Sequence, residues 1–118
     1  NPEVNSLVHC HALYCTTLAV IGKRMNTCLT PEGIMLLGEV PTVPYFTPGS
    51  DELVKAVEEH SDSMAMLMAK HGALTQGRTL EEAYDRMEEM EFQAHMQILA
   101  KRARNLPRSE IEKIRGML

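Results

Sequence analysis

The stretch that most restricts how this chain can fold begins at Thr79. Thr79-Leu80-Glu81-Glu82 has the spacing of a capping box, in which a threonine hydroxyl and a carboxylate three residues on satisfy amides left open at a helix start. Leu80, Ala83, Tyr84, Met87, Met90, Ala94, Ile98 and Leu99 then recur at helical spacing and form one apolar stripe. Lys101, Arg102 and Arg104 follow, and the spacing predicts that they close the helix with positive charge at the negative end of its dipole. Met87, Met90 and Met96 read as gap-filling core rather than a soft binding face. The acidic run Glu81, Glu82, Asp85, Glu88, Glu89 and Glu91 reads as the solvated side. A helix with one apolar side needs a second layer to cover it.

The rest of the chain offers short pieces for that layer. Ser6 to His11 is short and apolar enough for a buried strand, and Tyr14 to Ile21 has the length of a short helix. Gly33 to Leu37 and Val40 to Tyr45 are further short apolar runs; Pro41 and Pro44 remove amide donors, which favours an edge strand or a loop. Thr47-Pro48-Gly49-Ser50 is a turn, after which Ser50 can cap a helix with Asp51 and Glu52 in its first turn, running to about His60. Ala65 to Ala69 and Ala73 to Thr75 predict two strands meeting near Gly72. Beyond Pro107, Ser109 to Glu112 offers a second capping box for a last helix ending near Met117. Tyr14, Tyr45 and Tyr84 read as packing residues.

Length and charge exclude several function classes. At 118 residues the chain is one domain or part of one. Its net charge of -4 arises from 16 acidic and 12 basic side chains without a basic block, so a nucleic-acid partner is not expected. No apolar run approaches the roughly 20 residues that span a bilayer, and the N-terminus lacks a signal-peptide layout; no membrane partner and a cytoplasmic location are expected. Cys10, Cys15 and Cys28 lack Cys-x-x-Cys spacing and read as buried free thiols. The opening at Asn1, without an initiating methionine, reads as a cut in a longer chain.

The chemistry concentrates in histidines. His9 and His11 are separated by one residue, so on a strand their side chains leave the same face about 7 Å apart. Two such imidazoles can converge on one ion, and a catalytic zinc usually takes three protein ligands and keeps an open position. His71 is the best third candidate, because it ends an apolar run and precedes Gly72, where no side chain blocks close approach. The same pair taken alone is more often a hydrogen-bonded or partly exposed feature of a short strand than a metal site. His60 and His95 lie at polar helix positions and read as solvated surface.

Three segments, in order, resemble a known family. Val8-His9-Cys10-His11-Ala12-Leu13-Tyr14-Cys15-Thr16-Thr17-Leu18-Ala19-Val20 resembles a His-Thr-His-x-x-x-x-x-x-Ala-Leu-Ala segment. The stretch from Val40 to Leu53 is similar to Val-Pro-x-x-Pro-Tyr-x-x-x-Gly-Ser-x-Glu-Leu. Lys70-His71-Gly72, followed by Gly77, Leu80 and Ala83, is similar to Asn-His-Gly-x-x-x-x-Gly-x-x-Leu-x-x-Ala. These are motifs of the class II aldolase and adducin N-terminal superfamily, which includes fuculose-phosphate aldolase, ribulose-phosphate 4-epimerase and methylthioribulose-phosphate dehydratase. The resemblance implies an α/β fold in three αβα layers with a mainly antiparallel sheet. It also implies that residues 1–118 are the C-terminal portion of a single such domain, with the fold incomplete in this chain.

The resemblance further implies that His9, His11 and His71 bind zinc or another divalent metal. The reaction it implies is retro-aldol cleavage of a ketose phosphate through a metal-stabilised enediolate, a lyase activity in a homotetramer. A 4-epimerase or dehydratase of the same family is an alternative. A non-catalytic adducin-like interaction module is another, against which the three retained histidines argue. The family's catalytic glutamate and phosphate loop lie upstream of the His-x-His segment, so they are expected before Asn1. Leu29 to Gly33 has no tyrosine where some aldolases place a proton donor, and the tail after Pro107 has no aromatic residue. No acid or base role therefore falls on a residue of this chain.

Overall fold

The computed structural model describes residues 2–118. Strand β1 (Ser6–Cys10) turns directly into helix α1 (Leu13–Ile21), and α2 (Pro31–Leu37) leads to the two-residue strand β2 (Thr42–Val43). Helix α3 (Asp51–Glu58) follows, then the hairpin of β3 (Ala65–Met68) and β4 (Gly72–Gly77), the long helix α4 (Leu80–Leu99) and α5 (Arg108–Gly116). The strands form one sheet in the order β1-β4-β3-β2. Its β1–β4 and β4–β3 pairs are antiparallel and β2–β3 is parallel.

Alternation along the strands assigns the layers. Ala65 and Leu67 of β3, with Ala73 of β4, share a buried cluster with Cys15 and Leu18 of α1 and Met87, Met90 and Ala94 of α4. Met66 and Met68, one residue out of phase, pack instead with Val43, Leu53 and Ala56, so α3 covers the other face. The α/β fold with a mostly antiparallel sheet between helical layers is the expected one. All four residues of β3 are buried, as a strand covered on both faces must be. β1 differs: Val8 and Cys10 pack on the α1/α4 side, whereas Leu7 and His9 are exposed on the opposite face.

The capping signals explain most helix starts. Thr79 Oγ1 accepts from the Glu82 amide at 3.1 Å, and Glu82 reaches back to the Arg78 amide at 2.8 Å. That amide, then the Arg86 and Arg78 guanidinium groups, hold the Glu82 carboxyl below the usual carboxylate range. Ser50 Oγ accepts from Leu53 N at 3.2 Å at the head of α3. Within α4, the fully buried Gln93 donates to Thr30 Oγ1 and Glu89 Oε1, both at 2.8 Å, tying the helix to the start of α2.

Several expectations need correction. The apolar run Gly33 to Leu37, to which the sequence pattern assigns no element, is helical, started by Thr30, which accepts from Gly33 N at 3.2 Å, and by Pro31 in the first turn. Helix α4 ends before its expected positive cap: Ala100 leaves helical geometry, and Lys101, Arg102 and Arg104 lie beyond the last turn. Ser109 does not cap α5, which begins at Arg108 behind Pro107. Leu80 and Leu99, counted in the apolar stripe, are exposed, because the stripe is wider than the surface α4 covers; Tyr45 and Tyr84 are exposed too. Of the three free thiols, Cys15 is buried and Cys10 and Cys28 are half-buried.

Candidate metal centre

The site is built by strand register. His9 lies opposite Leu74 in the β1–β4 pair, and His11 is the first residue after Cys10 ends that strand in step with Ala73. Side-chain alternation keeps Leu7, His9 and His11 on the exposed face. On the partner side, β3 and β4 are joined by Ala69, Lys70 and His71, since Met68 pairs with Gly72. Lys70 takes the left-handed conformation that such a short hairpin turn requires, with φ 55°. That turn delivers His71 to the same end of the sheet, and its amide donates to Met68 O at 3.0 Å.

The three imidazoles form a nearly equilateral triangle. Ring centroids are 5.2 Å apart for His9 and His11, and 5.1 Å apart for each of these with His71. One nitrogen from each ring lies within 4.8 Å of the others, so the group could hold a metal ion. Nitrogens around a tetrahedral zinc with bonds of about 2.0 to 2.1 Å sit roughly 3.3 Å apart, a contraction that small side-chain rotations supply. His9 and His11 are exposed and His71 is half-buried, leaving the cluster open to solvent.

Three details fit a ligand set rather than a chance cluster. His9 Nδ1 lies 2.8 Å from Ala73 O, and a carbonyl only accepts, so Nδ1 carries the proton and Nε2 keeps its lone pair for an ion. At Gly72, a Cβ would stand 2.7 Å from Cys10 O and 2.9 Å from His11 Cδ2. The glycine therefore makes room for the His11 ring. Burial, then the neighbouring His9 and His11, hold His71 below the ordinary imidazole value, which favours the neutral form that a metal needs. Cys15 is excluded as a ligand by its place in the core, where burial and the adjacent Glu91 carboxylate push its thiol far up.

The other sequence-predicted positions fall elsewhere. His60 and His95 are outside the cluster, and neither is simply solvated: both are half-buried. The His95 ring stacks on Tyr14 at 3.8 Å with the planes 7° apart. An apolar cleft of about 390 Å³ beside it, lined by Phe92, His95, Met96, Leu99 and Ala100, contains none of the three clustered imidazoles. Donor chemistry, not cavity size, locates the site. Glu91, placed on the solvated side by its spacing, instead accepts hydrogen bonds from the Tyr14 and Cys15 amides. Its partners are 76 and 77 residues away, beyond any local signal.

Comparison with known proteins agrees with this architecture. Residues 1–98 match the family described as Class II Aldolase and Adducin N-terminal domain. The chain is 34% identical over 101 residues to 3-oxo-tetronate 4-phosphate decarboxylase of Escherichia coli strain K12, which covers 81% of the chain and 48% of that protein. It is 37% identical over 90 residues to L-fuculose phosphate aldolase of Methanococcus vannielii, covering 76% of the chain and 49% of the aldolase. The chain thus spans about half the length of the curated relatives it matches. Among solved structures, YgbL of Escherichia coli superposes with a TM-score of 0.91 at 32% identity, over 98% of this chain and 59% of YgbL. An L-fuculose 1-phosphate aldolase does so with a TM-score of 0.83 at 28% identity, over 97% of this chain and 55% of that one. No helix among the described residues is long and apolar enough to cross a membrane. With a family match over residues 1–98, and four strands, five helices and three clustered histidines among the described residues, this chain belongs to the class II aldolase and adducin N-terminal domain family.

Proposed function

We propose that His9, His11 and His71 hold a divalent cation, zinc by the chemistry of the donor set, in a lyase that cleaves a carbon–carbon bond of a ketose phosphate. The observation that supports it most is the triangle of three imidazole rings at the uncovered end of the sheet. All-nitrogen, uncharged ligands suit zinc better than magnesium or calcium, which prefer oxygen. Bound there, the ion would supply a Lewis acid with its full charge unneutralised, suited to the negative charge that develops when a bond beside a carbonyl breaks.

The chain's own residues prepare that site. The Ala73 carbonyl fixes the His9 tautomer, Gly72 admits His11, and the surroundings of His71 keep it neutral. Because His9 and His11 are exposed, an ion held there would be accessible to substrate oxygens from the solvent side. Retro-aldol cleavage fits the aldolase relatives. Decarboxylation of a phosphorylated 3-oxo acid is the second reading, favoured by the decarboxylase relatives, one of them 36% identical. Both reactions break a carbon–carbon bond next to a carbonyl and leave an enolate, so one ion serves either.

In this proposal residues 1–118 are the C-terminal portion of one class II aldolase/adducin-type domain, in keeping with the half-length match to the relatives. The acid–base group and the phosphate loop come from the rest of the protein. A homotetramer is part of the same proposal, supported by the exposed Phe92 and Leu99 beside the apolar cleft. Assays of the full-length protein on L-fuculose phosphate and on 3-oxo-tetronate 4-phosphate, with carbon dioxide release measured on the second, separate the two reactions. Cleavage of either that disappears on metal removal and in His71→Ala supports the lyase; a metal-loaded protein that cleaves neither contradicts it.

A further inference from the structure

We propose that Glu91 is a positioning residue for the metal centre, acting from α4 on the start of α1 and so on His11. The inference rests on the reading of His9, His11 and His71 as ligands. His9 and His71 each have an anchor of their own, the first through its Nδ1 bond to Ala73 O and the β1–β4 ladder, the second through the β3–β4 turn. His11 stands past the end of β1, where the ladder stops. What holds it is the helix that begins two residues later.

That helix lacks a cap of its own. Its N-cap residue is Ala12, which has no side-chain acceptor for the open amides of the first turn. Glu91 supplies them. Its Oε1 accepts from Tyr14 N at 3.1 Å and from Cys15 N at 2.9 Å, and its Oε2 accepts from Tyr14 N at 3.0 Å. A carboxylate at the positive end of the helix is favourable in charge as well as in hydrogen bonding. Glu91 is half-buried on a helix that also packs against β1, so it ties the His11 corner to the long helix α4.

Glutamine in its place keeps the size but removes the charge and can turn its carboxamide NH2, a donor, toward the Tyr14 amide. The test compares three forms of the full-length protein: the native sequence, Glu91→Gln, and Ser50→Ala, which removes a cap on α3, a helix that carries none of the three histidines. Zinc affinity is read by competition with a chromophoric chelator, and melting temperature without metal is read in parallel. The expected result is a zinc dissociation constant weakened about tenfold in Glu91→Gln, the lower end of what outer-shell partners of metal ligands contribute, with no weakening in Ser50→Ala despite a lowered melting temperature. Equal zinc affinity in Glu91→Gln and the native chain would overturn the inference, as would equal weakening in both variants.

A second measurement needs no variant. Linkage requires that if Glu91 and zinc cooperate through α1, zinc binding must raise hydrogen-exchange protection at the Tyr14 and Cys15 amides of the native chain. Protection that rises at His9 and His71 but not at Tyr14 and Cys15 overturns the inference even if Glu91→Gln fails to fold. A native chain that binds no zinc at all instead removes the metal reading beneath it, which keeps the two failures distinct.

Discussion

Helix α4 and the histidine corner lie on opposite faces of one sheet and are held by different forces. Ala83, Met87, Met90 and Ala94 of α4 are buried against Cys15, Leu67 and Ala73, so that side is stabilised by area removed from water. Across the sheet, His9 and His11 are exposed and His71 half-buried, and three imidazole rings about 5 Å apart gain little from one another. One face stores stability. The other stores a geometry that a bound ion would reward, at small cost to the fold if it is lost.

That contrast can be broken most forcefully at Met90, which is fully buried in the middle of α4. Met90→Ala leaves a cavity and should lower unfolding free energy by about 2 to 5 kcal/mol, measured by urea denaturation, while the folded fraction keeps its zinc affinity. Loss of zinc affinity in folded Met90→Ala would show that the two faces are coupled more widely than through Glu91.

Gly72→Ala should cross the divide in a single change. The new Cβ meets Cys10 O at 2.7 Å and His11 Cδ2 at 2.9 Å, so either the β1–β4 pair or the His11 ring must move. A loss of about 1 to 3 kcal/mol in stability is expected from the overpacking, accompanied by weaker zinc binding. Stability lost with zinc affinity unchanged would mean that the strand, not the ring, absorbs the clash.

The smallest effect is expected from acid. Because His71 is held below the ordinary value of 6.5, the folded chain carries fewer protons than the unfolded chain between those two values. Metal-free stability should therefore fall modestly as pH drops through 6.5 and level off below the folded value. Zinc affinity should fall over the same range, since the ligands must be neutral. His71→Ala should remove this part of the stability profile and leave the Met90 side of the molecule unchanged, as near-neutral pH titrations followed by circular dichroism would show.

The same contrast explains what the sequence disclosed. Helices α3 and α4 announce themselves through Ser50, Thr79 and Glu82, whose partners lie three or four residues away. The hairpin was legible in the apolar runs around Gly72, and the shared face of His9 and His11 in their spacing. Helix α2 was signalled by Thr30-Pro31, a cap followed by a first-turn proline, but its run of five residues is too short to show a period. The expected basic cap of α4 failed because Ala100 leaves the helix first, a turn geometry that charge pattern does not encode. His71 is the best third candidate from its place before Gly72, and the resemblance strengthens it, but only the strand register and the β3–β4 turn bring it to the other two. Glu91 on α1 and His95 on Tyr14 are meetings across the fold that no local pattern marks.

Zinc K-edge absorption spectroscopy on the zinc-loaded chain looks directly at the ion's neighbours. Three imidazole nitrogens at about 2.0 to 2.1 Å, with any remaining ligand an oxygen, is the predicted first shell. A sulfur scatterer near about 2.3 Å, or fewer than three imidazoles, would place the ion elsewhere and contradict the account.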